Sequence, residues 1–228
     1  MDKSRQTQYR LFGILLGCIL VIDQIVKIMV KTHMHIGEEI PLIGNWCLLN
    51  FTENNGFAFG ISLGEGVGKI LLSVFRLVAS GALMWYMFKL IKKGTATSVV
   101  GYITLILAGA IGNLIDSCFY GLIFNESTYQ VAHLFPSEGG YAPFMQGKVV
   151  DMFYFPLFQF TWPEWIPFVG GTSDVFFNAI FNVADASITI GAIWLIVDLL
   201  FFADKRKEKN EASDTIDDNK TVSNPQKS

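Results

Sequence analysis

Charged residues are scarce in this sequence of 228 residues, at 16% of the total, whereas soluble domains carry about a quarter. Hydrophobic residues make up 51%, and several apolar runs approach 20 residues. Runs of about that length cross the roughly 30 Å hydrocarbon core of a bilayer as helices. The scarcity of charge and the apolar runs together predict an integral membrane protein rather than a soluble one.

Cysteine and histidine are also rare, with 3 of each. The cysteines, Cys18, Cys47 and Cys118, are too scattered for a disulfide framework or a zinc site. His33 and His35 are spaced for one face of a strand, but no third ligand accompanies them, so we predict no metal and no cofactor. H-E-x-x-H does not occur, which removes one common hydrolase signature. Net charge is −3 without a basic stripe, so no nucleic-acid partner is expected.

Four apolar runs predict an all-α integral membrane protein with four transmembrane helices, at residues 11–30, 70–90, 99–120 and 179–203. Lysine and arginine are concentrated before the first span, between the second and third, and after the fourth. Because positively charged flanks stay in the cytoplasm, both termini are expected there, and the loops 31–69 and 121–178 face outward. Residues 205–228 are polar without apolar periodicity, which predicts a disordered cytoplasmic tail.

The two outer loops carry strand and interface signals. Residues 46–52 have strand character, and Asn54-Asn55-Gly56 is a turn signal before residues 57–60. These features predict a small extramembrane β-hairpin or curled sheet on the outer face. Residues 153–168 are crowded with aromatic residues and prolines. That composition is typical of the headgroup layer of a membrane, although an ordinary packed loop core also fits.

Carboxylates and amides recur inside the predicted spans, where an ionised group is costly. Asp23 precedes Lys27 by four residues, so the two charges can compensate each other. The pattern N-x-x-D occurs twice, at Asn113–Asp116 and at Asn182–Asp185, and this spacing puts amide and carboxylate on one helix face. With the predicted boundaries, the second aspartate lies roughly one and a half to two turns inside the outer end of span four. The acidic residues therefore share one leaflet and one candidate cavity.

Asp151, in the second outer loop, joins this set if the loop folds back onto span four. Two neighbouring carboxylates share one proton, and their pKa values separate. The ionised member can accept a proton from an attacking water, and the protonated member can polarise an amide carbonyl and protonate the leaving nitrogen. The pattern favours aspartic-protease chemistry. A small proton-coupled transporter with an Asp/Asn relay is the alternative, and a non-catalytic scaffold is a third interpretation.

Five short motifs follow one another from the first span to the fourth. They are Asp23-Gln24-x-x-Lys27, Asn50-Phe51-Thr52-x-Asn54-x-Gly56-x-Ala58-Phe59-Gly60, Gly112-Asn113-Leu114-Ile115-Asp116, Val149-Val150-Asp151 and Phe181-Asn182-x-Ala184-Asp185. In these motifs and their order the chain resembles the lipoprotein signal peptidases, or type II signal peptidases. That family consists of four-span aspartyl proteases of the bacterial inner membrane.

The resemblance implies cleavage of prolipoproteins immediately before a cysteine that carries a thioether-linked diacylglycerol. It implies that Asp151 and Asp185 are the catalytic dyad of a peptidase domain, residues 1–204, with its active site near the outer, periplasmic face. Other residues are then expected to orient the dyad or bind substrate: Asp23, Lys27, Asn54, Gly56, Asn113, Asp116 and Asn182. The expected partners are diacylglyceryl-modified prolipoproteins and membrane lipid, and the expected state is a monomer.

Two features depart from the pattern of the family that the chain resembles. Its members usually carry a basic residue directly after the third-span aspartate, whereas Asp116 is followed by Ser117. We expect Arg76, in span two, to supply this missing cation by extending outward, although a snorkelling arginine without a catalytic role also fits. In addition, residues 122–148 form a long insertion where the family usually has a short turn before V-V-D, and the sequence does not indicate its role.

Overall fold

Four long helices form the body of the computed structural model, which describes residues 2–56 and 66–202. All four are long and apolar enough to cross a membrane, so the predicted four-helix membrane fold is confirmed. The helices are α1 (Lys3–His33), α2 (Val67–Lys93), α3 (Thr97–Ile115) and α5 (Val183–Phe201). The third continues through a π-helical segment, Asp116–Tyr120, into a short helix α4, Gly121–Ile123. The predicted tail lies outside the described residues.

The fourth long helix begins later than predicted. Its first residue is Val183 rather than residue 179, and Asn182 is its N-cap. The Asn182 side chain accepts a hydrogen bond from the Asp185 amide at 2.8 Å, and the Asp185 carboxylate accepts one from the Asn182 amide at 3.4 Å. This reciprocal pair is a capping box, which marks helix starts. The predicted depth of Asp185 was therefore wrong, because this residue lies in the first turn of α5.

An antiparallel sheet of four strands lies at one end of the helices, which we call the sheet end. Its order is β1-β2-β3-β6, formed by Glu39–Ile43, Cys47–Asn54, Val149–Tyr154 and Ile180–Phe181. The register places Thr52 opposite Asp151. The small sheet predicted beside the helical body is confirmed. Residues 57–60, which were predicted to continue its hairpin, lie outside the described residues.

Two further strands form a separate hairpin between β3 and β6. Strand β4 (Phe158–Thr161) pairs with β5 (Ser173–Phe176) in an antiparallel ladder. We call residues 155–177 the aromatic hairpin. Because β3 precedes this hairpin and β6 leads from it into α5, the hairpin lies in sequence between Asp151 and Asp185.

Helix α3 lies at the centre of the bundle, packed against the other three long helices. Small residues let the backbones approach closely, as is usual between membrane helices. A Cβ added at Gly109 would lie 2.2 Å from the Ala184 carbonyl oxygen, and one added at Gly112 would lie 2.8 Å from Asp23 Oδ2. This close approach brings the polar groups of α1, α3 and α5 together.

The insertion is built into the end of the third helix. Its backbone amides donate to carbonyls of the π-helical segment and α4: Gly147 to Ser117 at 2.9 Å, Met145 to Cys118 at 3.3 Å, and Ala142 to Gly121 at 3.0 Å. A π-helical turn disturbs the regular i→i−4 ladder and often occurs at functional sites. The insertion therefore supplies partners for carbonyls of the helix end that carries Asp116.

Candidate active site

Every site residue that the sequence predicted lies in one connected polar network at the sheet end. Strand β3 supplies Asp151, and the first turn of α5 supplies Asp185. The remaining members come from α1, β2 and the turn that follows it, α2, and the outer part of the third helix: Asp23, Lys27, Asn54, Gly56, Arg76, Asn113 and Asp116, with Asn182 at the N-cap of α5. Segments far apart in sequence therefore meet around the two aspartates.

Asp151 is almost enclosed, with 4% of its surface exposed. Its Oδ1 accepts a hydrogen bond from Asn182 Nδ2 at 2.7 Å, and its Oδ2 accepts one from Asn54 Nδ2 at 3.2 Å. Burial, followed by the negative charge of Asp185, raises the pKa of Asp151 from its ordinary value of 3.8 to about 6. A carboxyl group in this state can hold a proton under mildly acidic conditions.

Asp185 is half-buried in the first turn of α5. Its Oδ1 accepts a hydrogen bond from Asn113 Nδ2 at 2.7 Å. The positive end of the helix macrodipole stabilises a negative charge at this position. Asp185 also lines a cavity of about 390 Å³ whose other walls are mostly apolar: Phe177, Ala179, Phe181, Ala186, Thr189 and Ile190. The two carboxylates thus differ in surroundings, with Asp151 enclosed and Asp185 open to a cavity.

Two asparagines connect the aspartates. The fully buried Asn182 directs its Nδ2 to Asp151 Oδ1, and the same nitrogen lies 3.1 Å from Asn113 Oδ1. The amide of Asn113 then donates to Asp185. Because each amide has both a donor and an acceptor, this pair can bridge two carboxylates without adding charge. The amides of the two N-x-x-D patterns therefore link the two aspartates.

A buried lysine organises the other side of the network. Lys27 Nζ lies 2.9 Å from Asp23 Oδ2, 2.9 Å from Asp116 Oδ2 and 2.8 Å from Asn113 Oδ1. The compensation predicted for Asp23 and Lys27 is present, and Asp116 shares in it. Asp23 Oδ1 also accepts a hydrogen bond from the Ala184 amide at 2.8 Å. Helix α1 therefore helps to fix the start of α5.

Gln24 was missed as a site residue, although it stands beside Asp23 in the first motif. Its Nε2 donates to Asp116 Oδ1 at 3.0 Å and to Asp23 Oδ2 at 3.1 Å, and its Oε1 accepts from Tyr120 OH at 3.1 Å. Asp116 Oδ2 also accepts from the Val150 amide at 3.3 Å. A polar side chain one position from an acid inside an apolar span was the available signal.

Arg76 extends toward Ser117, as expected. Its Nη1 donates to Ser117 Oγ at 2.9 Å, and that hydroxyl donates to the Asn113 carbonyl at 2.9 Å. The guanidinium also interacts electrostatically with three carboxylates: Asp185, Asp116 and Asp151. Gly56, at φ +80°, leaves room for it, since an added Cβ would lie 3.0 Å from Arg76 Nη2 and 2.5 Å from Leu72 Cδ2. The second helix therefore brings a cation to the site.

A second ionic network, which we call the clamp, joins the insertion to α1 and β2. Glu53 pairs with Lys31 and, at 3.1 Å, with Lys148. Lys31 also donates to Ser127 Oγ at 2.7 Å, and Lys148 lies 2.9 Å from Glu126 Oε1. The clamp includes Glu53, one residue before Asn54 in β2, and Lys148, three residues before Asp151.

Sequence reasoning missed the clamp because its members lie on segments that become neighbours only in the fold. Lys31 is fully buried, and its ammonium group lies 5.2 Å from the centre of the Phe124 ring and 5.1 Å from that of Tyr141. Such cation–π contacts favour a desolvated ammonium. The insertion thus supplies a hydroxyl partner and aromatic surroundings for this lysine, while its ionic partner Glu53 comes from β2.

Comparison with known proteins agrees with this geometry. The sequence profile of the signal peptidase (SPase) II family matches residues 15–201. The chain belongs to the signal peptidase II family. A lipoprotein signal peptidase of Porphyromonas gingivalis is 47% identical over 195 residues, which cover 85% of this chain and 84% of that protein. One of Amoebophilus asiaticus is 34% identical over 213 residues, covering 92% and 85%.

A solved structure of a bacterial membrane enzyme is also similar, with a TM-score of 0.56 and 25% identity over 84% of this chain and 94% of that one. The resemblance drawn from the motifs is therefore confirmed. Membership of the signal peptidase II family makes the protein a bacterial multi-pass membrane protease of lipoprotein processing. It does not favour the transporter alternative.

Proposed function

We propose that the protein is an aspartic endopeptidase that removes signal peptides from diacylglyceryl-modified prolipoproteins, cutting before the lipid-bearing cysteine. The observation that carries this proposal is the pairing of Asp151 and Asp185 through Asn182 and Asn113 beside an apolar cavity. The names of the curated relatives support the substrate class.

The two aspartates take different roles because their surroundings differ. Asp151, whose pKa is raised to about 6 by burial and by Asp185, holds the shared proton and acts as the general acid. Asp185, at a helix N-terminus and half-buried, acts as the general base. This division follows the rule that environment separates the pKa values of a carboxyl pair.

The reaction needs only these two groups and water. Asp185 takes a proton from water as the oxygen attacks the scissile carbonyl carbon, and Asp151 gives its proton to the carbonyl oxygen. In the tetrahedral intermediate, Asp185 gives the proton to the amide nitrogen, and the carbon–nitrogen bond breaks. One hydroxyl proton returns to Asp151 as the carboxylic acid forms, so both aspartates regain their starting states.

The location of the dyad suits a lipid-modified substrate. A cysteine with diacylglycerol holds the scissile bond near the bilayer surface, and Asp185 lies in the first turn of a membrane-spanning helix. The apolar walls of the adjoining cavity would accept an acyl chain or an apolar side chain. By the distribution of basic flanks, the sheet end faces the periplasm, both termini are cytoplasmic, and the enzyme lies in the inner membrane. It acts as a monomer, since one chain supplies both aspartates.

Arg76 replaces the basic residue that is missing at Ser117. Its guanidinium limits the mutual repulsion of the carboxylates and, through Ser117, supports the Asn113 backbone. Arg76→Leu should lower kcat strongly, while Arg76→Lys should retain part of the activity because the charge remains. Full cleavage activity in Arg76→Leu would contradict this role.

The decisive experiment incubates the purified protein with a diacylglyceryl-modified prolipoprotein and with its unmodified precursor. Only the modified form should be cleaved, and Asp151→Asn and Asp185→Asn should each abolish cleavage. Asp174→Asn, on the exposed strand β5, is the matched control and should cleave normally. Cleavage that survives in Asp151→Asn would show that Asp151 is not the second catalytic carboxylate. Cleavage of the unmodified precursor would contradict the substrate class.

A further inference from the structure

The aromatic hairpin exposes a large apolar surface. Its strands pair only with each other among the residues that the structure describes. Phe158 and Phe176 stack across the ladder at 4.7 Å between ring centres, while at the tip Trp165 is 80% exposed and Phe168 fully exposed. Exposed apolar area costs about 25 cal/mol per Å² in water, and contiguous patches of this kind mark interaction surfaces.

The composition of the hairpin identifies what covers it. Across residues 155–177 only Glu164 and Asp174 are charged, and neither lysine nor arginine occurs. The surface therefore offers little for electrostatic recognition of a protein partner. Tryptophan and other amphipathic rings are enriched where membrane proteins meet the headgroup layer. Phe168 has φ +70°, a conformation that favours glycine, and yet it carries an apolar side chain into the surroundings.

The base of the hairpin continues into the membrane-facing surface of α5. Phe155 stacks on Phe181 at 5.6 Å, and Phe177 packs edge-on against Phe181 at 6.0 Å. Phe177 and Phe181 also line the cavity that contains Asp185, together with Ile190 from α5. An apolar surface thus runs from the hairpin past Asp185 to a membrane-spanning helix. Lipid beside α5 would therefore adjoin the base of the hairpin as well.

We propose that the aromatic hairpin docks into the headgroup layer of the bilayer and sets the depth of the active site relative to the lipid-bearing cysteine of the substrate. The depth at which the hairpin docks would determine the position of both aspartates, because the hairpin connects the strand of Asp151 to the helix of Asp185. The claim about depth rests on the proposed function, whereas the docking itself does not.

A site-directed spin label tests the docking. Cys18 is the exposed cysteine, while Cys47 and Cys118 are buried, so Cys18→Ala provides the background for Phe168→Cys. The matched control is Tyr129→Cys, because Tyr129 is 94% exposed on the insertion. Each labelled protein is reconstituted into phosphatidylcholine–phosphatidylglycerol vesicles, and collisions with oxygen and with a water-soluble nickel chelate are measured.

The label at position 168 should collide more with oxygen than with nickel, and the label at position 129 more with nickel. Equal nickel access at the two positions would overturn the proposal. Protection of the label at position 168 from both reagents would also overturn it, because that result indicates contact with protein. None of these outcomes requires enzymatic activity.

A kinetic measurement tests the consequence for catalysis. The double variant Trp165→Ser, Phe168→Ser should match the parent enzyme in detergent micelles. On vesicles that carry lipid-modified substrate, its KM should rise about tenfold with kcat unchanged. An unchanged KM on vesicles would contradict the role in setting depth. If the parent enzyme cleaved nothing, the proposed function would fail while the label measurements would still decide the docking.

Discussion

Two segments flank the strand that carries Asp151, and they are held in opposite ways. The insertion, directly before β3, is fixed to the protein by the clamp and by backbone hydrogen bonds to the end of the third helix. The aromatic hairpin, directly after β3, pairs only with itself among the described residues and exposes its apolar tip. The insertion therefore fixes Asp151 relative to the helices, and the proposed docking of the hairpin would fix it relative to the bilayer.

The chemistry of the clamp fits the first of these roles. Burial opposes the charge of Lys148, but the hydrogen bond and charge of Glu126 and the charge of Glu53 outweigh it, so the pKa of Lys148 is raised. Buried ion pairs contribute little net stability and in some proteins specify one geometry. We therefore expect the clamp to position the strand of Asp151 more than it stabilises the fold.

The largest loss is expected when the insertion is separated from the third helix. A Cβ added at Gly147 would lie 2.1 Å from the Asp116 carbonyl oxygen, so Gly147→Ala must displace one backbone from the other. We expect the free energy of unfolding to fall by more than about 3 kcal/mol and most cleavage activity to be lost. Gly81→Ala, where an added Cβ meets nothing within 4 Å, is the control. Thermal unfolding in detergent measures the stability of both variants. A Gly147→Ala variant as stable as the control would show that the insertion is not held against the end of the third helix.

The pH dependence of stability shows how Asp151 is held between the two segments. Its folded pKa of about 6 exceeds the ordinary 3.8, so between about pH 4 and pH 6 the folded state binds more protons than the unfolded state. Stability therefore falls as pH rises through this window, by about 3 kcal/mol for this group, and remains lower above it. Asp151→Asn should flatten that slope when the free energy of unfolding is measured at pH 4.5 and at pH 7.5. The exposed Asp174→Asn should leave the slope unchanged. Equal slopes for parent and Asp151→Asn would contradict the raised pKa.

Removing one cation of the clamp tests the insertion more gently. Lys31→Met leaves Glu53 with Lys148 as its remaining ionic partner, so we expect a loss of about 2 kcal/mol in unfolding free energy. Because Asn54 follows Glu53 directly and donates to Asp151, kcat should fall more than KM changes. A double-mutant cycle with Glu53→Gln isolates the pair, and Lys92→Met, at an exposed position, is the control. Additive losses would mean that Lys31 and Glu53 act independently.

The sequence predicted most of this site and little of what holds it. Five motifs located both proposed dyad residues and the orienting residues other than Arg76, because those side chains lie in short local patterns. Hydrophobic run length predicted the four helices, but it extended the last one through residues 179–182, where Asn182 instead caps the helix. The clamp could not be predicted, since Lys31, Glu53 and Lys148 become neighbours only after β2 and β3 pair. The aromatic hairpin was recognised by composition and not by its strands, because its cross-strand pairing depends on an eleven-residue connection of no regular pattern.

The smallest expected effect, and one of opposite sign, is at the tip of the hairpin. Phe168 adopts φ +70° with its side chain fully exposed, so the fold gains little from this ring in the absence of lipid. Phe168→Gly should therefore raise the unfolding free energy in detergent by up to about 1 kcal/mol, because glycine adopts positive φ without strain. The same change at a packed position would create a cavity and destabilise, so the sign of the effect separates the hairpin from the insertion. A loss of more than about 1 kcal/mol in calorimetry would mean that Phe168 packs against the protein, and the contrast between the two segments would then be wrong. A gain in unfolding free energy that is present in detergent and absent in vesicles would support the contrast, because the lipid would then compensate for the strain that Phe168 retains.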